Sequence, residues 1–239
     1  MGANSLSYSV DIVFCIDATL SMQGLIDKVK DNALHFYDDL MKAMQAKDKV
    51  ADEVRIKVVA YRDYIADKGD AMLVTDFFKL PEDTVEFEKC IRSIKAKGGG
   101  DEPEDGLEAL AYSIRSKWNM SCQKRRQVIV LWTDASTHPL GFGASQPNYP
   151  KNMAKNFAEL SEWWGNAQLP SEYIDSSAKR LVLFAPAIVK SKGEEIETMW
   201  NVISENWDNT IHYPSEAGKG LEDVDYNTII DIVSNTVSS

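Results

Sequence analysis

Three oxygen-bearing side chains, Asp17, Thr19 and Ser21, stand at alternate positions directly after the first apolar run of the chain. One carboxylate and two hydroxyls from a single loop suit a hard cation such as Mg²⁺, which prefers about six oxygen ligands in octahedral geometry and retains several waters. The hydroxyls add ligand oxygen without adding negative charge, so a bound cation would stay electrophilic. The same spacing also fits an aspartate at a strand end with Ser21 as the N-cap of a helix.

Two further acidic segments favour the metal hypothesis. The segment DEPED at 101–105 follows three glycines, and Asp134 follows a strongly apolar strand pattern. Together they add the acidic side chains of 101–105 and Asp134 to the candidate oxygen ligands Asp17, Thr19 and Ser21.

The elements that must position these side chains alternate between strand and helix patterns along the whole chain. Strands are predicted at 10–16, 54–61, 71–78, 127–134, 181–187 and 210–213, and helices at 22–46, 82–97, 103–118, 150–167, 194–206 and 224–237. The runs at 10–16 and 127–134 are rich in Val, Ile and other apolar residues, which is typical of parallel strands buried on both faces. We expect a single domain over 1–239, with its core at about 9–237.

The expected fold class is α/β: a doubly wound, mostly parallel six-stranded sheet with one antiparallel edge strand and helices on both faces. Ligands of such sheets lie beyond the carboxyl ends of the strands, where the strand order reverses. If the strands that lead to Asp17 and Asp134 are neighbours in the middle of the sheet, the two carboxylates converge there.

These motifs resemble the von Willebrand factor type A family and its metal-ion-dependent adhesion site. The usual signature of that site is DxSxS in the first loop, a Thr in a middle loop and an Asp after the fourth strand. The sequence DATLS at 17–21 matches the first part, with Thr19 in place of the first Ser, and Asp134 matches the last. The resemblance covers nearly the whole chain and implies a Rossmann-like fold.

The middle loop departs from that signature, because GGGDEPE at 98–104 offers carboxylates where a Thr is usual. It is similar to the DxPE loop of integrin β-subunit inserted domains and to loops of type A domains attached to atypical protein kinases. The resemblance implies that Glu104 contacts the metal directly. It leaves Asp101 as a direct ligand, a water-bridged ligand or part of a second cation site.

The composition limits the other classes of function. A net charge of -11, from 37 acidic and 26 basic residues, opposes binding to a nucleic-acid backbone. The longest apolar run, 181–189, is far shorter than the roughly 20 residues of a membrane span. Residues 1–8 lack the pattern of a secretory signal, and the three cysteines form no CxxC pair, so we expect a cytoplasmic protein.

An enzymatic function is not expected, although one alternative stays open. Asp17 at a strand tip superficially resembles the nucleophile of haloacid-dehalogenase-like phosphotransferases, but their second acid is replaced by Thr19, which cannot act as an acid or base at neutral pH. A metal-dependent phosphohydrolase or phosphotransferase using the cation as a Lewis acid is one alternative. An assembly scaffold with a vestigial metal site is another.

The expected function is protein binding through the metal. The resemblance implies that Mg²⁺, or else Mn²⁺ or Ca²⁺, is presented to an acidic side chain of a partner protein. Related stand-alone domains work beside AAA+ ATPases, kinases or defence-system components, and the chain ends soon after its last predicted helix, so the effector is expected to be another protein. The long loop at 135–149 supplies three candidate partner contacts, His138, Phe142 and Tyr149, with local packing as the alternative. Arg62, which follows the second strand, is a fourth candidate, and its alternative is an ion pair on the surface, either with Asp63 or directed at a helix.

Overall fold

The computed structural model describes residues 7–99 and 103–238, in which strands and helices alternate. The strands are β1 (Tyr8–Asp17), β2 (Glu53–Tyr61), β3 (Met72–Val74), β4 (Phe78–Leu80), β5 (Lys124–Trp132), β6 (Lys179–Ala185), β7 (Ile188–Ser191), β8 (Glu194–Glu197) and β9 (Thr210–Pro214). The helices are α1 (Gln23–Asn32), α2 (Phe36–Gln45), α3 (Thr84–Ser93), α4 (Gly106–Ile114), α5 (Phe157–Trp164), α6 (Met199–Asn206) and α7 (Tyr226–Ser238). None of these helices is long and apolar enough to cross a membrane.

The main sheet is mostly parallel and confirms the predicted fold class. Its strand order is β3-β2-β1-β5-β6-β9, with β4 also paired to β2. The chain starts in the middle at β1, moves outward to β2 and then returns to the other side of β1 with β5, so the strand order reverses between β1 and β5. In that central pair, Ile16 lies opposite Trp132, and the two strands therefore end side by side.

Two apolar layers cover the faces of the sheet, because alternate residues of each buried strand point to opposite sides. On one face, Phe14 of β1 packs with residues of α1, α2, α3 and α7. On the other face, Cys15 packs with residues of α4, α5 and α6, including Trp164 and Trp200. All three cysteines are free.

Three predicted elements differ in the structure. The helix predicted at 22–46 is two helices, α1 and α2, separated after Asn32, whose side-chain amide donates back to the Lys28 carbonyl and competes with the helical backbone bonds. The edge strand predicted at 71–78 is divided into β3 and β4, because Thr75 bonds through both its backbone and its hydroxyl to Val58. The sheet therefore has seven strands, where six were expected.

The start of the helix predicted at 194–206 is instead a strand. β7 and β8 form a separate antiparallel hairpin around Lys192 and Gly193, which have φ values of 52° and 85°. Positive φ at both central residues is the geometry of a two-residue type I′ turn, whose twist matches that of the flanking strands. The helix α6 begins only at Met199, after the cap residue Thr198.

Candidate metal centre

Asp17 is the last residue of β1 and is completely buried. Its Oδ1 accepts hydrogen bonds from the backbone nitrogen of Thr19 at 2.9 Å and from the hydroxyl of Thr19 at 2.6 Å. Its Oδ2 accepts a hydrogen bond from the hydroxyl of Thr133 at 2.7 Å. The loop after β1 is thus wound around the carboxylate, and Thr133, to which the sequence assigned no role, fixes the carboxylate from the neighbouring strand.

Asp134 lies directly beyond β5 and binds the loop after β1. Its Oδ1 accepts a hydrogen bond from the hydroxyl of Ser21 at 2.9 Å, and its Oδ2 accepts one from the backbone nitrogen of Gly220 at 2.7 Å. Gly220 has a φ of +61°, and a Cβ atom there would lie 2.2 Å from the carbonyl oxygen of Ser21. Only glycine fits this close approach. The segment before α7 therefore belongs to the site. Its closely spaced glycines were the one feature of the sequence that could have indicated this close contact.

Glu104 reaches the same place from the loop before α4. Its side chain is 3% exposed, and its Oε2 is buried without a hydrogen-bond partner. Gly99, with a φ of +75°, passes so near that a Cβ atom would lie 2.9 Å from Glu104 Oε1 and 3.0 Å from the Cβ of Thr19. Glu104 and Thr19 thus face the same stretch of glycine backbone, and the three loops that carry the candidate ligands converge beyond β1 and β5.

The electrostatics of this site are unfavourable to ionised carboxylates. Burial, together with the charges of Asp17 and Asp63, raises the pKa of Glu104 to about 9. Burial also raises the pKa of Asp17 to about 6, although the hydrogen bonds from Thr19 and Thr133 oppose the shift. Within 7–99 and 103–238, neither these two acids nor Asp134 forms an ion pair with Lys or Arg. The donor set and the orphaned Glu104 oxygen fit a divalent cation.

Comparison with known proteins gives the family. The family model of the von Willebrand factor type A domain matches residues 11–206. The chain belongs to this family. Type A domains are generally protein-interaction modules and often depend on a divalent metal.

Two curated relatives carry such a segment within much longer chains. The alpha-protein kinase vwkA of Dictyostelium discoideum is 27% identical over 144 residues, which are 60% of this chain and 21% of the kinase. The putative ariadne-like RING finger protein R811 of Acanthamoeba polyphaga mimivirus is 25% identical over 184 residues, which are 75% of this chain and 16% of the relative. The alignments thus cover about a fifth or less of each relative.

Solved structures of low sequence identity show the same fold. The von Willebrand factor type A protein from Catenulispora acidiphila superposes with a TM-score of 0.50 and 15% identity, over 97% of this chain and 43% of that one. The PilB minor pilin from Streptococcus sanguinis superposes with a TM-score of 0.51 and 10% identity, over 100% of this chain and 63% of the pilin. At these identities the likeness concerns the fold alone.

The surface ion pair given as the alternative for Arg62 of this type A domain is wrong, and the contact of Arg62 with a partner stays a prediction. Arg62 is 7% exposed. Its Nε donates to the carbonyls of Ala18 and Lys97, both at 2.9 Å, and its terminal nitrogens donate to two further backbone carbonyls. The guanidinium thus connects the loop after β1 to the segment after α3, and it positions loops that carry candidate ligands.

The candidate contacts in the loop at 135–149 divide into buried and exposed side chains. His138 is 5% exposed and lies beside Asp63. Its contact with a partner stays a prediction. The half-buried Tyr149 donates its hydroxyl to Glu108 at 2.9 Å. Phe142 is 50% exposed, stacks on the His138 ring, and stays a predicted contact. Asp101 lies outside the described residues.

Proposed function

We propose that this domain binds Mg²⁺ and presents it to an acidic side chain of a partner protein. The ligands in this proposal are Asp17, Thr19, Ser21, Glu104 and Asp134, with Asp101 as a further candidate. One observation supports the proposal most directly: three buried carboxylates from three loops converge without a basic partner, and one oxygen of Glu104 has no hydrogen bond at all. An uncompensated buried charge is costly, and a divalent cation would remove that cost.

The hydroxyl groups of Thr19 and Ser21 are also oriented so that they could bind the cation. Thr19 and Ser21 donate their protons to Asp17 and Asp134, respectively. A hydroxyl that donates its proton to a carboxylate keeps its lone pairs free for a cation. Because every proposed ligand atom is oxygen, the site favours a hard cation, so Mg²⁺ is the first choice and Mn²⁺ or Ca²⁺ could replace it.

The partner would approach from the rim of the site. Ser21 is exposed, and its neighbour Leu20 is 65% exposed, whereas Asp17 is completely buried. An incoming carboxylate would complete the coordination of the bound cation, and apolar contacts to Leu20 and Phe142 would surround it. Such a contact is short, directional and dependent on charge.

The proposal also assigns the domain to a cytoplasmic multiprotein system that includes a kinase or an AAA+ ATPase. Two observations support this assignment. All three cysteines are free, and one curated relative is named as a protein kinase. The pilus proteins that share the fold carry no weight here, since their identity to this chain is too low.

Calorimetric titration with Mg²⁺ tests the metal site. The wild-type protein should bind Mg²⁺, and Asp17→Ala should abolish binding. Asp76→Ala is the matched control, because it removes a carboxylate that is 89% exposed and should change nothing. Equal Mg²⁺ binding by the wild-type protein and Asp17→Ala would refute the assignment and favour a scaffold with a vestigial site.

Water-proton relaxation with bound Mn²⁺ tests the acidic ligand. A short peptide with a single Glu should displace a metal-bound water and lower the relaxivity, whereas the same peptide with Gln should not. Equal effects of the two peptides at high concentration would show that the bound cation does not select an acidic group.

A further inference from the structure

A second group of ligating side chains lies beside the proposed magnesium site. Asp63 follows β2, Asp105 precedes α4, and His138 lies in the loop after β5, so three loops at the carboxyl edge of the sheet supply one group each. Each of the three offers one ligand atom that lies within 4.8 Å of the other two. All three side chains are buried, with exposed fractions of 1%, 0% and 5%, respectively.

The atoms of this cluster have unmet bonding capacity. Asp105 Oδ1 is buried without a hydrogen-bond partner, and so is His138 Nε2. His138 Nε2 lies 2.9 Å from Asp63 Oδ2, but the orientation of the two groups is not that of a hydrogen bond. Buried polar atoms are nearly always paired, so two unpaired atoms in one cluster of ligating side chains point to a missing ligand.

The remaining carboxylate oxygens are held in place by the backbone. Asp105 Oδ2 accepts a hydrogen bond from the nitrogen of Tyr64, and Asp63 Oδ1 accepts one from the nitrogen of Ala66. Such outer contacts orient the ligands of metal sites and leave the second oxygen free for the ion. Phe142 stacks on the His138 ring at a centroid distance of 3.9 Å and covers the cluster from the outside.

Charge balance supports the same interpretation. Among the described residues, no Lys or Arg forms an ion pair with Asp63 or Asp105, and the nearest buried cation, Arg62, donates to backbone carbonyls. Two carboxylates and a neutral imidazole balance the charge of one dication. Ligand atoms that share a zinc ion lie about 3.4 Å apart in tetrahedral geometry, so a small movement of the side chains would close the site.

We propose that Asp63, Asp105 and His138 bind a second divalent cation, a first-row transition metal of the Zn²⁺ or Mn²⁺ class. The imidazole nitrogen distinguishes this site from the all-oxygen site on Asp17, because imidazole suits Zn²⁺ and its neighbours, whereas Mg²⁺ prefers oxygen. The second ion would also secure the ligand loop of the first site, since Glu104 precedes Asp105 and its carbonyl accepts a hydrogen bond from the His138 backbone nitrogen at 2.8 Å.

Elemental analysis of the whole chain, stripped with chelator, reloaded with Zn²⁺ and desalted, tests this site. His138→Ala and Asp105→Asn should each lose about one equivalent of Zn²⁺ per chain relative to the wild-type protein. Asp17→Ala should keep that equivalent. His35→Ala is the matched control, because it removes an exposed imidazole from the surface and should lose nothing. The same zinc content in the wild-type protein and His138→Ala would overturn the proposal and leave an Asp63–His138 ion pair without metal.

A measurement on the wild-type protein keeps the test independent of how the variants fold. Pulsed electron paramagnetic resonance of the Mn²⁺-saturated protein should show the ¹⁴N coupling of a coordinated imidazole, and a spectrum without that coupling would refute the site. The outcome is separable from that of the first proposal. Loss of Mg²⁺ binding in Asp17→Ala reports only the oxygen site, whereas nitrogen coupling reports only the site with His138.

Discussion

The two ends of the central sheet differ in whether their buried and partly buried acids are paired with arginine. Near the amino end, Asp11 receives two hydrogen bonds from Arg55, at 2.7 and 2.6 Å, and Asp175 pairs with Arg125 at 2.7 Å. At the carboxyl end, the carboxylates of the two proposed sites are buried without a Lys or Arg partner among the described residues: Asp17, Asp63, Glu104, Asp105 and Asp134.

The difference does not come from a lack of basic residues at the carboxyl end. Arg62 is buried there, yet its guanidinium donates to the backbone carbonyls of Ala18, Lys97 and other residues, and to no carboxylate of the described part of the chain. The pKa values follow the pairing. Burial raises the pKa of Asp105 to about 7, whereas for Asp175 the hydrogen bonds from Ser177 and Arg125 outweigh burial and lower the pKa to about 2. Asp11 and Asp175 near the amino end thus each have an arginine partner, whereas the acids proposed to bind cations have neither Lys nor Arg as a partner among the described residues.

The largest expected effect comes from breaking a pair at the amino end. Arg55→Ala should lower the free energy of unfolding by about 3 kcal/mol, because the Asp11 side chain, 2% exposed, would keep its charge and lose its counter-ion. Urea denaturation should give the same loss with Mg²⁺ and with chelator. Arg92→Ala, which breaks an exposed pair on α3, should cost under about 1 kcal/mol. If Mg²⁺ restored the stability that Arg55→Ala loses, the proposed difference between the two ends of the sheet would be contradicted.

Metal addition should act only through the carboxyl end. At a Mg²⁺ concentration of about 100 times the dissociation constant, the free energy of unfolding should rise by about 2.7 kcal/mol. The rise should persist in Arg55→Ala and vanish in Asp17→Ala, as measured by thermal or urea unfolding. If the melting temperature of the wild-type protein changed neither with Mg²⁺ nor with chelator, this result would count against the proposed site.

The pH dependence of the metal-free protein should reveal the same uncompensated charge. The pKa of Glu104 is raised from 4.5 to about 9, so the folded state holds its proton where the unfolded chain has lost it, and stability must fall as pH rises through this window. In chelator at pH 8, Glu104→Gln should therefore be more stable than the wild-type protein by about 2 kcal/mol, and at pH 4 the two should be equal.

The control for this prediction is Glu86→Gln, which changes an exposed acid of α3 and should alter stability little at either pH. With Mg²⁺ present, the difference in stability between Glu104→Gln and the wild-type protein should shrink or change sign, because the variant lacks a proposed ligand. An unchanged advantage of the variant in saturating Mg²⁺ would show that Glu104 does not bind the cation.

The smallest effect is expected for Asp175. Its pKa is lowered, so its contribution is present above the ordinary carboxyl pKa of 3.8 and is lost as pH falls towards 2. Because the group is only partly buried and screened by solvent, Asp175→Asn should cost less than about 1 kcal/mol at pH 7. Urea unfolding at pH 7 and pH 2.5 should show that the cost shrinks in acid, and a cost that grew in acid would contradict the lowered pKa of Asp175.

The parts of the site that the sequence predicted follow from local patterns. Runs rich in Val, Ile and other apolar residues identify β1 and β5, and parallel strands that end together bring Asp17 near Asp134 whatever the details of the loops. The metal-binding role of these residues stays a prediction. Contacts between distant segments carry no local signal. Gly220 lies 86 residues from Asp134 along the chain, and the roles of Thr133 and Gly220 depend on which loops happen to meet.

The position of His138 also depends on contacts that the sequence does not indicate. It is one of three scattered histidines, and a long surface loop suggested an exposed side chain. Its burial beside Asp63 and Asp105 follows from the β-bridge between Glu104 and Thr137, which pulls the start of the loop inward. A bridge between two residues outside regular strands has no sequence periodicity. The cluster of Asp63, Asp105 and His138 therefore could not be predicted before the fold was known.

The divided edge of the sheet has a consequence for self-association. On the β2 side, the outermost strands β3 and β4 have only three residues each and are interrupted at Thr75, which makes that edge a poor template for another chain. The opposite edge, β9, is five residues long and exposes Ile211 and Tyr213 at 41% and 38%. Strand-by-strand aggregation of this protein at high concentration should therefore begin along β9, and a single charged residue in place of Ile211 should delay it.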